Sequence, residues 1–193
     1  LLDSLSKNLE GKNFIFTKST VPLGTNKLIQ DYLDKKIEKS VKVIVSSTPE
    51  FLKEGNAVND FMKPDRIIVG SSDLEAIDII SDLYKPFNWS ENRLIVMTRE
   101  SAELTKYAAN SFLATKISFM NEIAKICDIT GANIHEVREG IGADKRIGKS
   151  FLYAGLGFGG SCFPKDVRAL IRTQKDLGIK SELLPKTIAV NEN

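Results

Sequence analysis

The α/β character of this chain is clearest in Val41-Lys-Val-Ile-Val45, a run of nearly continuous β-branched residues. Such a run is typical of a parallel strand that is buried on both faces. Similar runs predict three more strands, at 13–17, 66–70 and 94–97. Helical patterns are predicted at 1–10, 25–37 and 73–84, and a long polar loop at 46–60. Strands that alternate with helices indicate βαβ crossovers, so we expect a parallel sheet.

The pattern changes near residue 99, where strands give way to helices. From Arg99 to about Thr130, apolar residues recur every three to five positions, which predicts one unusually long helix. Shorter helices are predicted at 134–140, from 164 to about 177 and from about 181, with a glycine-rich loop over 141–161. We therefore draw a domain boundary at residue 98, between an α/β part and an all-helical part.

Composition places the chain among ordinary globular proteins and excludes several classes of partner. Of its 193 residues, 42% are hydrophobic and 27% are charged, and the net charge is +2. This balance gives no basic field for nucleic acid, and no apolar run approaches the roughly 20 residues of a membrane span. With two cysteines and one histidine, neither a disulfide framework nor a zinc site is expected. We expect two free thiols, no metal and a reducing, cytoplasmic compartment.

The α/β part lacks one motif that a complete dinucleotide-binding domain carries. No G-x-G-x-x-G follows any of its predicted strands, and the glycines at 155–160 follow no strand. A complete domain of this kind has about six strands, whereas four are predicted here. We therefore expect the chain to be a fragment whose glycine fingerprint lies upstream of Leu1.

The densest chemical signal is the segment Gly157-Phe-Gly-Gly-Ser-Cys-Phe-Pro-Lys-Asp166. Pro164 favours a first helical turn, so Cys162 is predicted just before a helix N-terminus. The helix dipole and Lys165 would stabilise a thiolate there, and Asp166, one turn further on, would handle a proton. An inert, buried cysteine near a turn is the competing interpretation, and the local residues leave both open.

Two other groups of polar residues are candidates for chemistry. Lys106 and Asn110 lie four residues apart on one face of the predicted long helix, where both would donate to an oxyanion. Glu50 and Glu54 follow a predicted strand, at the edge where α/β sheets bind ligands, and would act as bases. In isolation, solvated surface charge is the simpler explanation of each group. His135 has no second histidine beside it and is interpreted as structural.

Taken together, six segments resemble the UDP-glucose/GDP-mannose dehydrogenase family, in the family's order and over about residues 12–190. They are Lys18-Ser-Thr-Val-Pro-Leu-Gly-Thr25, Pro49-Glu-Phe-Leu-Lys-Glu-Gly55, Phe61-Met-Lys-Pro-Asp-Arg66, Glu103-Leu-Thr-Lys-Tyr-Ala-Ala-Asn110, Asp144-Lys-Arg-Ile-Gly148 and Gly157 to Asp166. Two further stretches, 114–122 and 140–146, look more like the UDP-glucose branch than the GDP-mannose branch. Thr48 departs from the family, whose members usually have asparagine before Pro-Glu-Phe.

The resemblance implies a fold of three domains: an NAD-binding Rossmann domain, a central helical domain and a UDP-binding domain. Residues 1–98 would form the C-terminal half of the first, a Rossmann-like parallel-sheet domain. Residues 99–193 would form the all-helical central domain, whose one long helix supports a homodimer. The UDP-binding domain would be absent from this chain, and the isolated chain would be inactive.

The resemblance also implies a reaction, the oxidation of the C6 alcohol of UDP-glucose to a carboxylate with two NAD⁺ per sugar. Cys162 would attack the intermediate aldehyde and carry a thiohemiacetal and then a thioester. Lys106 and Asn110 would stabilise the oxyanion, Asp166 would aid proton transfer through water, and Glu50 would assist thioester hydrolysis. The family suggests a place in polysaccharide precursor synthesis.

Binding residues follow from the same resemblance. Those near NAD would be Thr20, Glu54 and Lys165. Those near the substrate would be Phe51, Leu52, Lys53, Lys106, Asn110, Arg146, Phe151, Leu152, Tyr153, Gly155 and Gly159, with Arg146 reaching the partner subunit's substrate.

Two other functions remain open from the sequence. The same fold acts on other nucleotide sugars in this family, so GDP-mannose and a UDP-N-acetylhexosamine are alternative substrates. The second alternative is that the chain is a binding or dimerisation module without activity of its own. Without the glycine fingerprint, such a module would bind NAD poorly.

Overall fold

A computed structural model describes residues 1–87 and 93–193. The chain forms two compact units, Leu1–Lys106 and Tyr107–Asn193. The first is an α/β unit and the second is helical, which confirms the predicted fold class. The boundary predicted at residue 98 lies before the long helix, whereas the two units meet inside it.

The first unit alternates strands and helices. Its strands are β1 (Lys12–Thr17), β2 (Lys42–Ser47), β3 (Ile67–Gly70) and β4 (Leu94–Met97). Its helices are α1 (Leu2–Ser6), α2 (Thr25–Lys36), α3 (Ala57–Met62) and α4 (Leu74–Tyr84), and a 3₁₀ turn follows at Lys85–Phe87. The loop predicted at 46–60 was wrong in two places, because β2 continues to Ser47 and α3 begins at Ala57.

The four strands lie side by side in the order β1-β2-β3-β4. The predicted parallel pairing is confirmed for β1 with β2 and for β3 with β4. It was wrong for β2 with β3, which meet antiparallel at the single register pair Ser47 and Gly70. A parallel neighbour needs a crossover that returns along the whole strand, usually on a helix. The six residues of α3 are too short for that return.

Two apolar clusters hold the sheet and its helices together. Leu33 of α2 packs on Val43 and Val45 of β2, whose sequence run predicted a buried strand. Ile80 and Tyr84 of α4 pack on Ile67 and Val69 of β3. A helix cap supports the second cluster, because the side chain of Asp73 accepts a 3.0 Å hydrogen bond from the N–H of Ala76.

The long helix α5 runs from Arg99 to Thr130, as predicted, and is 32 residues long. It begins in the first unit, where it crosses β3 closely. A Cβ added at Gly70 would lie 2.6 Å from the Cβ of Ala102, so only glycine fits at this crossing. The carboxylate of Glu103 accepts hydrogen bonds from the backbone N–H of Gly24 and Asn26, which ties α5 to the start of α2.

Three further helices belong to the second unit: α6 (Ile134–Gly142), α7 (Phe163–Asp176) and α8 (Leu183–Glu192). Their core is formed by Ala114 of α5, Phe158 of the glycine-rich loop and Val167 of α7. The hydroxyl of Ser118 donates to the carbonyl of Thr187 at 2.8 Å, which joins α5 to α8. No helix in the described part of the chain is long and apolar enough to cross a membrane.

Candidate active site

Cys162 is the N-cap residue of α7, immediately before Phe163 and Pro164. The Cys162 thiol is exposed, whereas the other free thiol, Cys127, is buried on α5. The hydroxyl oxygen of Ser161 lies 3.7 Å from Sγ of Cys162. The positive end of the helix dipole favours an anion at this position. A thiol that a substrate can reach, placed at a helix N-terminus, meets the basic requirements for a nucleophile.

Asp166 lies one turn further along α7 and is almost fully buried, with 1% of its surface exposed. Its Oδ2 accepts a 2.6 Å hydrogen bond from Nδ2 of Asn110, and its Oδ1 accepts one of 2.6 Å from Nζ of Lys165. The hydrogen bond to Asp166 raises the pKa of Lys165, against the opposing effect of its partial burial. A buried carboxylate is tolerated because both of its oxygens are paired.

This arrangement brings Asn110 of the long helix together with Lys165 and Asp166, which the sequence analysis had placed in a separate group beside Cys162. An amide nitrogen carries two hydrogens, and the bond to Asp166 uses one of them. Asn110 can therefore orient Asp166 and still donate to a developing oxyanion. The paired carboxylate is held by two hydrogen bonds on α7, whose N-cap residue is Cys162.

In the first unit, Lys106 and Glu50 form an ion pair with Nζ and Oε1 3.3 Å apart. The Lys106 side chain is 6% exposed and that of Glu50 is 32% exposed. Nζ of Lys106 also lies 5.1 Å from the ring centroid of Phe51, and the guanidinium carbon of Arg66 lies 4.0 Å from the same centroid. The ion pair and these cation–π contacts fix the loop that follows β2.

The rest of this loop is held by carboxylates. The second oxygen of Glu50 accepts a 2.7 Å hydrogen bond from the N–H of Leu52. Asp60 accepts hydrogen bonds from the N–H of Lys53 and from Asn56, and forms an ion pair with Nζ of Lys53. Desolvation would raise the pKa of Asp60, but these contacts outweigh it and lower the pKa. Lys53, predicted to bind substrate, is thus engaged within its own loop.

The loops after β1 and β2 lie side by side, because Thr17 and Ser47 are register partners at the ends of two parallel strands. Thr20 is half-buried in the first loop and Glu54 is exposed in the second. Nucleotides bind at this edge of parallel sheets. A threonine hydroxyl and a carboxylate there fit the ribose and amide groups of a dinucleotide, so the residues present suit NAD.

The segment predicted to wrap the substrate is irregular and glycine-rich. Phe151 has φ +63°, the one non-glycine residue with positive φ in the described parts of the chain, and its ring packs edge-on against Phe163. Leu152 is buried, Tyr153 is 56% exposed beneath the guanidinium of Arg138, and Gly159 is exposed. The N–H of Gly155 donates to the side chain of Asn121 at 2.8 Å.

Arg146 lies in the loop after α6, with 88% of its side chain exposed. Its guanidinium binds both oxygens of Asp144, and this contact lowers the pKa of Asp144. The guanidinium is therefore held at the surface by a carboxylate of its own loop.

Sequence reasoning missed three residues that shape these loops. Arg66 packs on Phe51, Arg138 packs on Tyr153, and Asn191 of α8 binds the backbone of Phe158. Each of these side chains contacts a residue that is distant in sequence, and no local sequence pattern predicts such a contact. Among the described residues, no group of three or more His, Cys, Asp or Glu is placed to hold a metal ion.

Two family models match this chain and together cover most of it. Residues 1–88 match the NAD binding domain of the UDP-glucose/GDP-mannose dehydrogenase family, and residues 100–193 match its central domain. A UDP-glucose 6-dehydrogenase of Pseudomonas aeruginosa is 49% identical over 192 residues. That alignment includes 98% of this chain and 42% of the relative, so the chain spans about two fifths of the relative's length.

Solved structures agree with this assignment. A UDP-glucose dehydrogenase from Pyrobaculum islandicum superposes with a TM-score of 0.87 at 44% identity, covering 94% of this chain and 42% of that one. A GDP-mannose dehydrogenase from Pseudomonas aeruginosa has a TM-score of 0.63 at 31% identity, covering 100% and 44%. With both domain models matched in order and the fold shared, the chain belongs to the UDP-glucose/GDP-mannose dehydrogenase family.

Proposed function

We propose that the protein oxidises the C6 alcohol of UDP-glucose to a carboxylate in two NAD-dependent steps, with Cys162 as covalent nucleophile. The observation that carries this proposal is the exposed thiol at the start of α7, followed one turn later by a buried, doubly hydrogen-bonded carboxylate. A dehydrogenase that stops at the aldehyde needs no nucleophile. One that continues to the acid needs a group that converts the aldehyde into a second hydride donor.

The first oxidation removes a hydride and a proton from the C6 alcohol and leaves an aldehyde. The Cys162 thiolate then adds to the carbonyl carbon, and the carbonyl oxygen becomes the oxyanion of a thiohemiacetal. Lys106 and Asn110, four residues apart on α5, are proposed to stabilise this oxyanion. Asp166 is proposed to exchange the proton through water, since its carboxylate is held in place by Asn110 and Lys165.

Loss of a second hydride converts the thiohemiacetal into a thioester. Water attacks the thioester carbon, the carbon–sulfur bond breaks, and the carboxylate leaves with the thiol regenerated. Glu50 is proposed to assist this hydrolysis. Its ion pair with Lys106 and its hydrogen bond from Leu52 hold the carboxylate in a defined orientation, which supports a role in aligning water.

The cofactor proposed for both oxidations is NAD⁺, which accepts one hydride in each when bound. Thr20 and Glu54, in the loops after β1 and β2, are proposed to contact it, together with Lys165. Phe51, Leu52, Lys53 and the segment from Phe151 to Gly159 are proposed to bind the sugar nucleotide. A free thiol nucleophile needs a reducing compartment, so we place the reaction in the cytoplasm.

UDP-glucose is favoured over other nucleotide sugars by the degree of similarity. Identity is 49% with a UDP-glucose 6-dehydrogenase and 31% with a GDP-mannose dehydrogenase. A panel of UDP-glucose, GDP-mannose and UDP-N-acetylhexosamines, assayed with the intact protein, tests this choice. We expect the highest kcat/KM with UDP-glucose. A higher kcat/KM with another nucleotide sugar of the panel would identify that sugar as the substrate instead.

The stoichiometry of the reaction tests the proposed function most directly. We expect the intact protein to form two NADH for each UDP-glucose consumed, measured by absorbance at limiting substrate. The second NADH requires that the aldehyde be captured and oxidised before it escapes. A yield of one NADH per sugar, with free aldehyde as product, would show that the protein is an ordinary alcohol dehydrogenase.

A homodimer through α5 is proposed on the exposed apolar side chains of that helix. Phe112, Phe119 and Ile126 are 66%, 49% and 55% exposed and lie seven residues apart, on one face. We expect the intact protein to be a dimer by light scattering and Phe119→Glu to shift it towards monomer. Leu183→Glu on α8, where the leucine is 65% exposed, is the matched control and should remain dimeric. A dimer unaffected by Phe119→Glu would place the interface elsewhere.

A further inference from the structure

Asn191, near the end of α8, makes two hydrogen bonds to the backbone of one residue in the glycine-rich loop. Its Oδ1 accepts from the N–H of Phe158 at 2.6 Å, and its Nδ2 donates to the carbonyl of Phe158 at 3.0 Å. This is the pair of bonds that a neighbouring β-strand would make. The Asn191 side chain therefore fixes the loop backbone at Phe158, as a neighbouring β-strand would do.

The residue before Phe158 is adapted to the same contact. Gly157 has φ +94°, and a Cβ added there would lie 2.5 Å from Oδ1 of Asn191. Only glycine allows both the backbone conformation and the approach of the amide. The two residues thus depend on each other, although 34 positions separate them.

Phe158 transmits this constraint towards the thiol. Its side chain is buried against Ala114 and Val167, and its ring packs edge-on against Phe163 with centroids 6.2 Å apart. Phe163 is the first residue of α7 and directly follows Cys162. A continuous series of contacts therefore runs from α8 through two aromatic rings to the start of α7, where Cys162 lies.

We propose that Asn191 is a positioning residue for Cys162, acting through the backbone of Phe158. The role rests on the proposed function, since it concerns the capture of an aldehyde by this thiol. A displacement of about 1 Å is enough to lower the rate of such a step about 100-fold. Loosening the loop should slow thiohemiacetal formation and spare the first oxidation, which needs no thiol.

The test uses Asn191→Asp and Asn191→Ala in the intact protein, with Asn193→Asp as control for the same change near the same helix end. Aspartate keeps the size of asparagine but removes the donor to the Phe158 carbonyl. We expect kcat to fall about 10- to 100-fold in the Asn191 variants. We also expect the NADH yield to fall below two per sugar, with the released aldehyde trapped by semicarbazide. Asn193→Asp should retain the unaltered rate and yield.

Circular dichroism and thermal unfolding show whether each variant is folded, and Asn191→Asp is the milder change if Asn191→Ala unfolds. A folded Asn191→Asp protein with a yield of two and a kcat within twofold of the unaltered protein would overturn the proposal. A purely structural role would lower the amount of folded enzyme without changing the NADH yield per sugar, and this outcome also counts against it.

Alkylation of Cys162 by iodoacetamide gives a readout that does not depend on the reaction. We expect Asn191→Asp to slow it at least threefold, because Sγ is no longer held at the N-terminus of α7. Mass spectrometry distinguishes this thiol from buried Cys127. If the unaltered protein yields one NADH, the proposed function fails, and the alkylation rates still decide the role of Asn191. Equal alkylation rates of Cys162 in the unaltered and Asn191→Asp proteins would exclude a positioning role for Asn191.

Discussion

Replacement of Cys162 by serine should lower the steady-state rate of acid formation by roughly 1,000-fold or more. In the proposed mechanism the first hydride transfer does not use the thiol, so one NADH per enzyme should still form in a single turnover. The second should not, because a serine hydroxyl is far less acidic than a thiol and adds poorly to an aldehyde. Stopped-flow absorbance at limiting UDP-glucose measures both phases.

Cys127→Ser makes the same chemical change at the other thiol and serves as the control. Cys127 is 5% exposed on α5, so its serine variant should lose stability and keep the two-NADH yield. Undiminished turnover of the Cys162→Ser protein, with two NADH per sugar, would remove covalent catalysis from the mechanism. Accumulation of a stable sugar–enzyme adduct, detected by intact mass, would mean that the serine adds but cannot complete the oxidation.

The elements of the fold could be predicted from the sequence where one periodicity extends over many residues. The helix α5 was predicted at 99–130 and spans those residues, because its apolar positions repeat for 32 residues. The six-residue helix α3 was missed, since a turn and a half contains too few apolar positions to show a period. The antiparallel meeting of β2 and β3 was also missed, because strand patterns record burial and not direction.

In the candidate site, the types of the functional residues could be predicted from the sequence, but their pairing could not. Cys162, Asn110 and Asp166 were each chosen for their chemistry and their neighbours in sequence. The hydrogen bond between Asn110 and Asp166 joins residues 56 positions apart, and so does the ion pair between Glu50 and Lys106. Pairs at that separation depend on how the helices and loops pack. Composition and residue spacing do not determine that packing, so they could not predict these pairs.

Asn191 marks the limit of sequence reasoning most clearly. Its amide binds backbone atoms, so its partner can be any residue type, and Phe158 gives no hint of the contact. The one local sign is Gly157, which the sequence analysis placed in a glycine-rich loop without giving it a partner. The structure gives it a specific reason, the space that Asn191 occupies.

Asp166→Asn should lower kcat by about 100- to 10,000-fold, the range expected for loss of a group that moves a proton. Its two oxygens accept from Asn110 and Lys165, both at 2.6 Å. An amide keeps one acceptor, so its NH₂ must face either the Asn110 amide or the Lys165 ammonium. A buried donor left without an acceptor lowers the free energy of unfolding by about 1–3 kcal/mol, so the variant should also unfold at a lower urea concentration.

Asp176→Asn, on the same helix, is the matched control. Its ion pair with Arg172 is exposed on both sides, and such pairs contribute about 0–1 kcal/mol. We expect its kcat to remain within twofold and its stability to change little. An Asp166→Asn protein that is folded and retains kcat within threefold would exclude Asp166 from proton transfer and leave it a structural role.

A double-mutant cycle between Asn110 and Asp166 separates two functions of the asparagine. If Asn110 acts only by orienting Asp166, then Asn110→Ala should have no further effect on kcat once Asp166 is asparagine. If its second amide hydrogen also stabilises the oxyanion, a loss of roughly 100-fold should persist in that background. We expect the persistent loss, because the Asn110 amide nitrogen carries two hydrogens and the bond to Asp166 uses only one of them. Full non-additivity, with the double variant no slower than Asp166→Asn alone, would assign the oxyanion to Lys106 without Asn110.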